Sequence, residues 1–73
     1  MTAALDKQLL AAHAAGATER LVDLYRQAAD LAPCPDQAAF YLTHAHIFAL
    51  EIGHPDTNRL RQRLIDAGRE TPL

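Results

Sequence analysis

The residues best suited to chemistry in this sequence are its four histidines, His13, His44, His46 and His54. Imidazole nitrogens ligate metals, carry protons and change charge near neutral pH. Spacing decides which of these uses is open. His44 and His46 are separated by two positions, which on a helix sets them about 160° apart, so they cannot grip one metal ion together. No HExxH, HxxxH or Cys/His pairing accompanies them. His13 and His44 can meet only if the helices that carry them pack side by side. The plainer expectation is four partly exposed polar residues on mixed faces, with a weak pH effect on association as the alternative.

Cys34 lies between two prolines in Pro33-Cys34-Pro35. A reactive thiol needs a basic neighbour or a helix N-terminus to lower its pKa. Cys34 precedes a predicted helix start, but Asp36 offsets that field, and no His, Asn or Asp stands at a known catalytic spacing. It reads as a loop cysteine. Asp23 and Asp30 lie opposite the apolar side of their helix and read as surface charge rather than an acid–base pair. No glycine-rich loop is present to cradle a phosphate. We therefore expect no enzymatic activity, no cofactor and no bound metal.

The remaining charge feature is Arg59, Arg61, Arg63 and Arg69 near the C-terminus. Basic groups complement the negative end of a helix dipole. An alternative use is docking of an acidic partner, including the acidic second helix of another copy. Nucleic acid is disfavoured, because phosphate contacts need several cations on one face, and Arg59 and Arg63 share a side that Arg61 does not. The net charge of −2 also points away from nucleic acid and membranes.

These residues must be positioned by helices. Alanine is abundant, β-branched residues are few and glycine occurs three times. The first predicted helix is capped by Thr2, carries Leu5, Leu9 and Ala12 on one stripe, and ends at Gly16. Thr18 is the expected cap of the second. Its apolar half is Leu21, Val22, Leu24, Tyr25, Ala28, Ala29, Leu31 and Ala32. The prolines around Cys34 break it, and Asp36 is the expected cap of the third, which Gly53 closes. Pro55 introduces a fourth helix with Thr57, Leu60, Leu64 and Ala67 on one face, ended by Gly68, and residues 69–73 form a tail.

The third helix organises the rest. Tyr41, Leu42, Ala45, Phe48, Ala49 and Ile52 fall on one arc of about 120°. Ile47 and Leu50 lie on the far side with Thr43 and His46, and Phe40 shares a strip with His44 and Glu51. A helix this apolar is expected to be covered on more than one face. The fold class that follows is all-α, with four antiparallel helices in a single domain.

Helix-turn-helix, proline break, helix-turn-helix suggests an internal duplication. The stretch Gly16–Pro33, GATERLVDLYRQAADLAP, resembles the second half of a tetratricopeptide repeat, with Leu21, Tyr25, Ala28 and Pro33 in the pattern positions. A repeat of about 34 residues then divides the chain into units near 2–33 and 36–68, with Leu42 at the apolar position of the second unit. Thr43 stands where the family usually has Gly. The resemblance implies a protein–protein interaction module. Its peptide groove would be lined by the first helix of each repeat, here Lys7, Leu10 and His13 with Phe40, Tyr41, His44 and Phe48. The family's clamp for a C-terminal carboxylate has no counterpart, since Asp6, Leu10 and Tyr41 occupy its rows.

Seventy-three residues bury only about 60% of their extended surface. With a single cysteine no internal disulfide can add stability, and the usage suits a reducing, cytoplasmic setting. No apolar run reaches the length of a membrane span, and the N-terminus has no basic stretch leading into an apolar one. Two repeats are also fewer than stacking normally needs. We therefore expect self-association or docking on a partner. The alternative function is a structural bundle acting as an obligate homodimer or subunit, in which Phe40, Tyr41 and Phe48 are core or interface.

Overall fold

Glycine placement divides the chain. In the computed structural model, which describes residues 3–69, four helices are joined by short turns: α1 (Ala3–Ala15), α2 (Thr18–Leu31), α3 (Pro35–Ile52) and α4 (Thr57–Asp66). The described residues contain no strand. Gly16 and Gly53 take φ of 65° and 61°. At both ends the glycine N–H and the next N–H turn back onto the last helical carbonyls: Gly16 to His13 and Ala17 to Ala12, Gly53 to Leu50 and His54 to Ala49. This paired closure needs a left-handed residue, which glycine adopts without a Cβ penalty. Thr2, the expected cap of α1, and residues 70–73 of the expected tail lie outside the described residues.

The helix starts differ from expectation by one or two positions. Thr18 is the first residue of α2 rather than its cap; Ala17 holds the cap position, without a side-chain hydrogen bond. Asp36 likewise does not cap α3. Cys34 occupies that position with extended backbone, and Pro35 is the first helical residue. A proline at the first helical position has its φ already set and loses no hydrogen bond there, so the helix begins as early as Pro35 allows. Asp36 then lies in the first turn, where the dipole favours its charge. At α4 Pro55 immediately precedes the cap residue, Asp56, and the turn is braced by His54. Its Nδ1 accepts the Asp56 N–H at 3.0 Å, and its carbonyl accepts the Thr57 hydroxyl at 2.7 Å.

Two apolar clusters hold the helices. Leu5, Leu9 and Ala12 of α1 pack with Leu21, Leu24 and Ala28 of α2. Val22 and Ala29, elsewhere on α2, pack with Leu42, Ala45 and Ala49 of α3 and Leu60 and Leu64 of α4. Tyr25, Tyr41 and Phe48 touch both clusters and join them. The most extensive contact is between α2 and α3; α1 packs on α2, and α4 on α3. Ala28, Ala45 and Ala49 are completely buried. Side chains this small allow close helix packing, and Leu and Val fill the rest of both clusters. The α1–α2 and α3–α4 turns lie side by side at one end. At the other, the first turn of α3 adjoins the last turn of α4.

The centre of the array is thus shared between α2 and α3. Helix α3 is covered on more than one face, by α2 and α4, but not all round: Phe40, Ile47, Leu50 and also Ile52, placed on the core arc by its periodicity, stay substantially exposed. Leu31, assigned to the buried half of α2, is also exposed, because it is the last residue before the break. His46 departs the other way. It is buried, and its Nε2 has no hydrogen-bond partner. Among the described residues no helix is long and apolar enough to cross a membrane.

The arginines are engaged within the chain. Arg63 of α4 donates to Asp30 of α2 at 2.8 Å, Arg69 pairs with Asp36 of α3, and Arg59 lies 3.8 Å from Asp56. The acidic second helix that Arg63 meets is its own.

Candidate functional site

Tyr25 is the only aromatic residue on α2, and it becomes the floor on which side chains from α1 and α3 assemble. From α1, the His13 ring meets it edge-on at 5.8 Å, and His13 Nε2 lies 2.9 Å from the Tyr25 hydroxyl in a hydrogen bond. From α3, His44 stacks on it at 5.1 Å and Phe48 at 5.8 Å, with Tyr41 tilted against it at 6.3 Å. The cluster closes on itself where His13 meets Phe48 at 5.9 Å. Phe40 extends it, 4.5 Å from His44 and 5.6 Å from Tyr41. Offset and edge-on ring pairs at these separations contribute roughly 0.5–1.5 kcal/mol each beyond the area they bury.

Helical spacing explains the α3 contribution. Tyr41, His44 and Phe48 recur at three and four residues, so their rings line one side of the helix, and Phe40 stands beside His44 one turn earlier. Contact with α1 comes through side chains: His13 in its last turn reaches over Tyr25. His13 and His44 do not form a pair of their own. Each lies against Tyr25, which separates the roles of the two imidazoles.

The polar groups are constrained. Burial, reinforced by neighbouring Tyr41, pushes the Tyr25 phenol above its ordinary value of 10.0, so it remains neutral beside His13. His44 Nδ1 lies 2.9 Å from the Phe40 carbonyl. A carbonyl only accepts, so Nδ1 carries the proton and Nε2 is the acceptor of the neutral ring. The arrangement supplies stacking area and a few hydrogen-bonding atoms. Among the described residues no group of three or more His, Cys, Asp or Glu could hold a metal ion.

Of the residues assigned to a binding surface, His13, Phe40, Tyr41, His44 and Phe48 come together. Tyr41, His44 and Phe48 are half-buried, while Phe40 and His13 are exposed. Phe40 is therefore not a core residue, and Tyr41 and Phe48 sit at the seam between the two cores. Lys7 and Leu10 are also exposed, on α1 about two turns and one turn before His13. Tyr25 was missed as a site residue. Its signal was its isolation: a single phenol on an apolar stripe needs a polar partner or a route to water.

Besides the one between the first turn of α3 and the last of α4, two open depressions lie away from the rings. One, of about 490 Å³, is bounded by Gly16, Thr18 and Glu19 on one side and Gly53, His54 and Pro55 on the other. Its neighbour, of about 570 Å³, is lined by Arg20, Asp23 and Asp56 among others. Comparison with known proteins finds no matching family model, no matching curated protein and no matching solved structure.

Proposed function

We propose that this chain is a tetratricopeptide-like interaction module that takes a peptide or a helix across the surface of α1 and α3. One observation carries the reading: His13, Phe40, Tyr41, His44 and Phe48, from two helices distant in sequence, gather around Tyr25 while keeping part of their surface open. Aromatic anchors of this kind supply most of the energy of small interfaces at little cost in side-chain entropy. The occupant that suits them has an apolar or aromatic anchor, with backbone or side-chain groups for His13 and His44, and Lys7 at the rim. A partly exposed aromatic surface suits a chain laid across it better than an enclosed small molecule. Cys34, exposed and free, fits a reducing compartment, and the cytoplasm is the setting we assign.

Peptide selection against the immobilised protein tests this reading. Selected peptides should bind Phe40→Ala and His44→Ala at least about tenfold more weakly, a loss of about 1.4 kcal/mol, while both variants keep their helical circular dichroism. Peptides bound equally by all three proteins would move the site elsewhere, and failure to select any would remove the module reading. A structural-subunit role is favoured by a different observation, the open apolar strip of α3.

A further inference from the structure

We propose that the outer strip of α3 is a homodimer seam, closed by the same strip of a second copy running antiparallel. Phe40, Ile47 and Leu50 are 57%, 50% and 59% exposed. With Thr43 they recur at intervals of three, four and three residues. That is the a-d-a-d spacing of two heptads, the pattern that sets a narrow seam against another helix. Thr43 is the polar member, and its hydroxyl already donates to the Ala39 carbonyl at 2.8 Å. Burying the strip would therefore strand no new donor.

The spacing is symmetric about Ala45. A two-fold axis at that level sets Phe40 against Leu50 of the second copy and Thr43 against Ile47, large beside large and small beside branched. A self-complementary patch is what an isologous interface requires. Charge selects the direction. Asp36, in the first turn of α3, stands one heptad before Thr43 on the same strip. Parallel pairing would set it against Asp36 of the other copy, whereas antiparallel pairing sends the two carboxylates to opposite ends of the seam. Cover by α2 and α4 stops short of this strip, so the occupant adds to the fold without displacing any part of it.

Sedimentation velocity of the whole chain, in a Cys34→Ser background, tests the seam. The mass should double between micromolar and sub-millimolar concentration. Ile47→Asp should weaken association at least about a hundredfold with unchanged helical circular dichroism, because Ile47 is outside both clusters. Single cysteines then fix direction. Thr43→Cys mixed with Ile47→Cys should crosslink on oxidation, whereas Thr43→Cys alone should not. A wild-type chain that stays monomeric, a dimer that survives Ile47→Asp, or a Thr43→Cys crosslink to itself would each overturn the proposal. Phe40 belongs to both surfaces, so Ile47→Asp, which frees it, should keep or strengthen peptide binding, while His44→Ala should weaken peptide binding and leave the dimer; the two readings thus fail separately.

Discussion

His13 and Tyr25, twelve positions apart, meet through a hydrogen bond of 2.9 Å between imidazole Nε2 and the phenol. That bond closes the α1 side of the aromatic surface. Tyr25→Phe keeps every ring contact and removes only the hydrogen bond, so it should cost about 0.5–1.5 kcal/mol. Tyr25→Ala removes the floor of the site and the link between the two cores, at roughly 3–5 kcal/mol. Urea denaturation of both variants measures the difference. Equal losses would mean that the ring itself contributes little.

Alkaline pH should act through the same residue. Folding raises the Tyr25 phenol above 10.0, so the native state holds that proton more tightly than the unfolded chain. The stability this supplies is complete below pH 10.0, the unfolded value, and is lost as pH rises through the higher folded one. Phenolate absorbance should show a late step accompanied by loss of helix, and Tyr25→Phe should abolish that step. A Tyr25 titration midpoint at or below pH 10.0 would contradict this account.

Removing the imidazole of His46 should stabilise the protein. The ring is buried and its Nε2 unpartnered, and an unmet buried polar group costs about 1–3 kcal/mol. His46→Leu keeps comparable volume without that cost. For a chain this short each kcal/mol raises the midpoint by roughly 4–8 °C. A lower midpoint in a thermal melt would show that Nε2 is served in solution or that leucine does not fit.

The core is small enough for one truncation to unfold it. Leu60 is 1% exposed and belongs to the cluster shared by α2, α3 and α4. Leu60→Ala should cost about 2–5 kcal/mol, against a total near 5 kcal/mol for a domain of this size. A cooperative melt within a few degrees of wild type would mean that the cluster repacks.

Ion pairs should matter much less. Arg63 and Asp30 are 38% and 46% exposed, so solvent screens their attraction, and replacing either should change stability by under about 1 kcal/mol. The Arg26 hydrogen bond holds the Asp23 carboxyl below its ordinary 3.8. Its contribution is present above that pH and fades as pH falls through the lower folded value. Acid titration of Arg26→Gln should show the Asp23 carboxyl returning toward 3.8.

Glycine turns, proline breaks and apolar stripes are local signals, and the sequence alone determined what depends on them. The all-α class, four helices, the left-handed ends at Gly16 and Gly53, and the buried stripes Leu5–Leu9–Ala12 and Leu60–Leu64 all follow from spacing within one helix. So did most of the aromatic surface, since Tyr41, His44 and Phe48 share a side of α3 by periodicity. Tertiary structure decided what depends on which neighbour arrives. Periodicity makes α3 apolar nearly all round but cannot say that only α2 and α4 cover it, so Ile47 and Leu50 stay open while His46 is buried. Nor can one helix show that His13 and His44 each lie against Tyr25, because that contact exists only once α1 and α3 are held against α2.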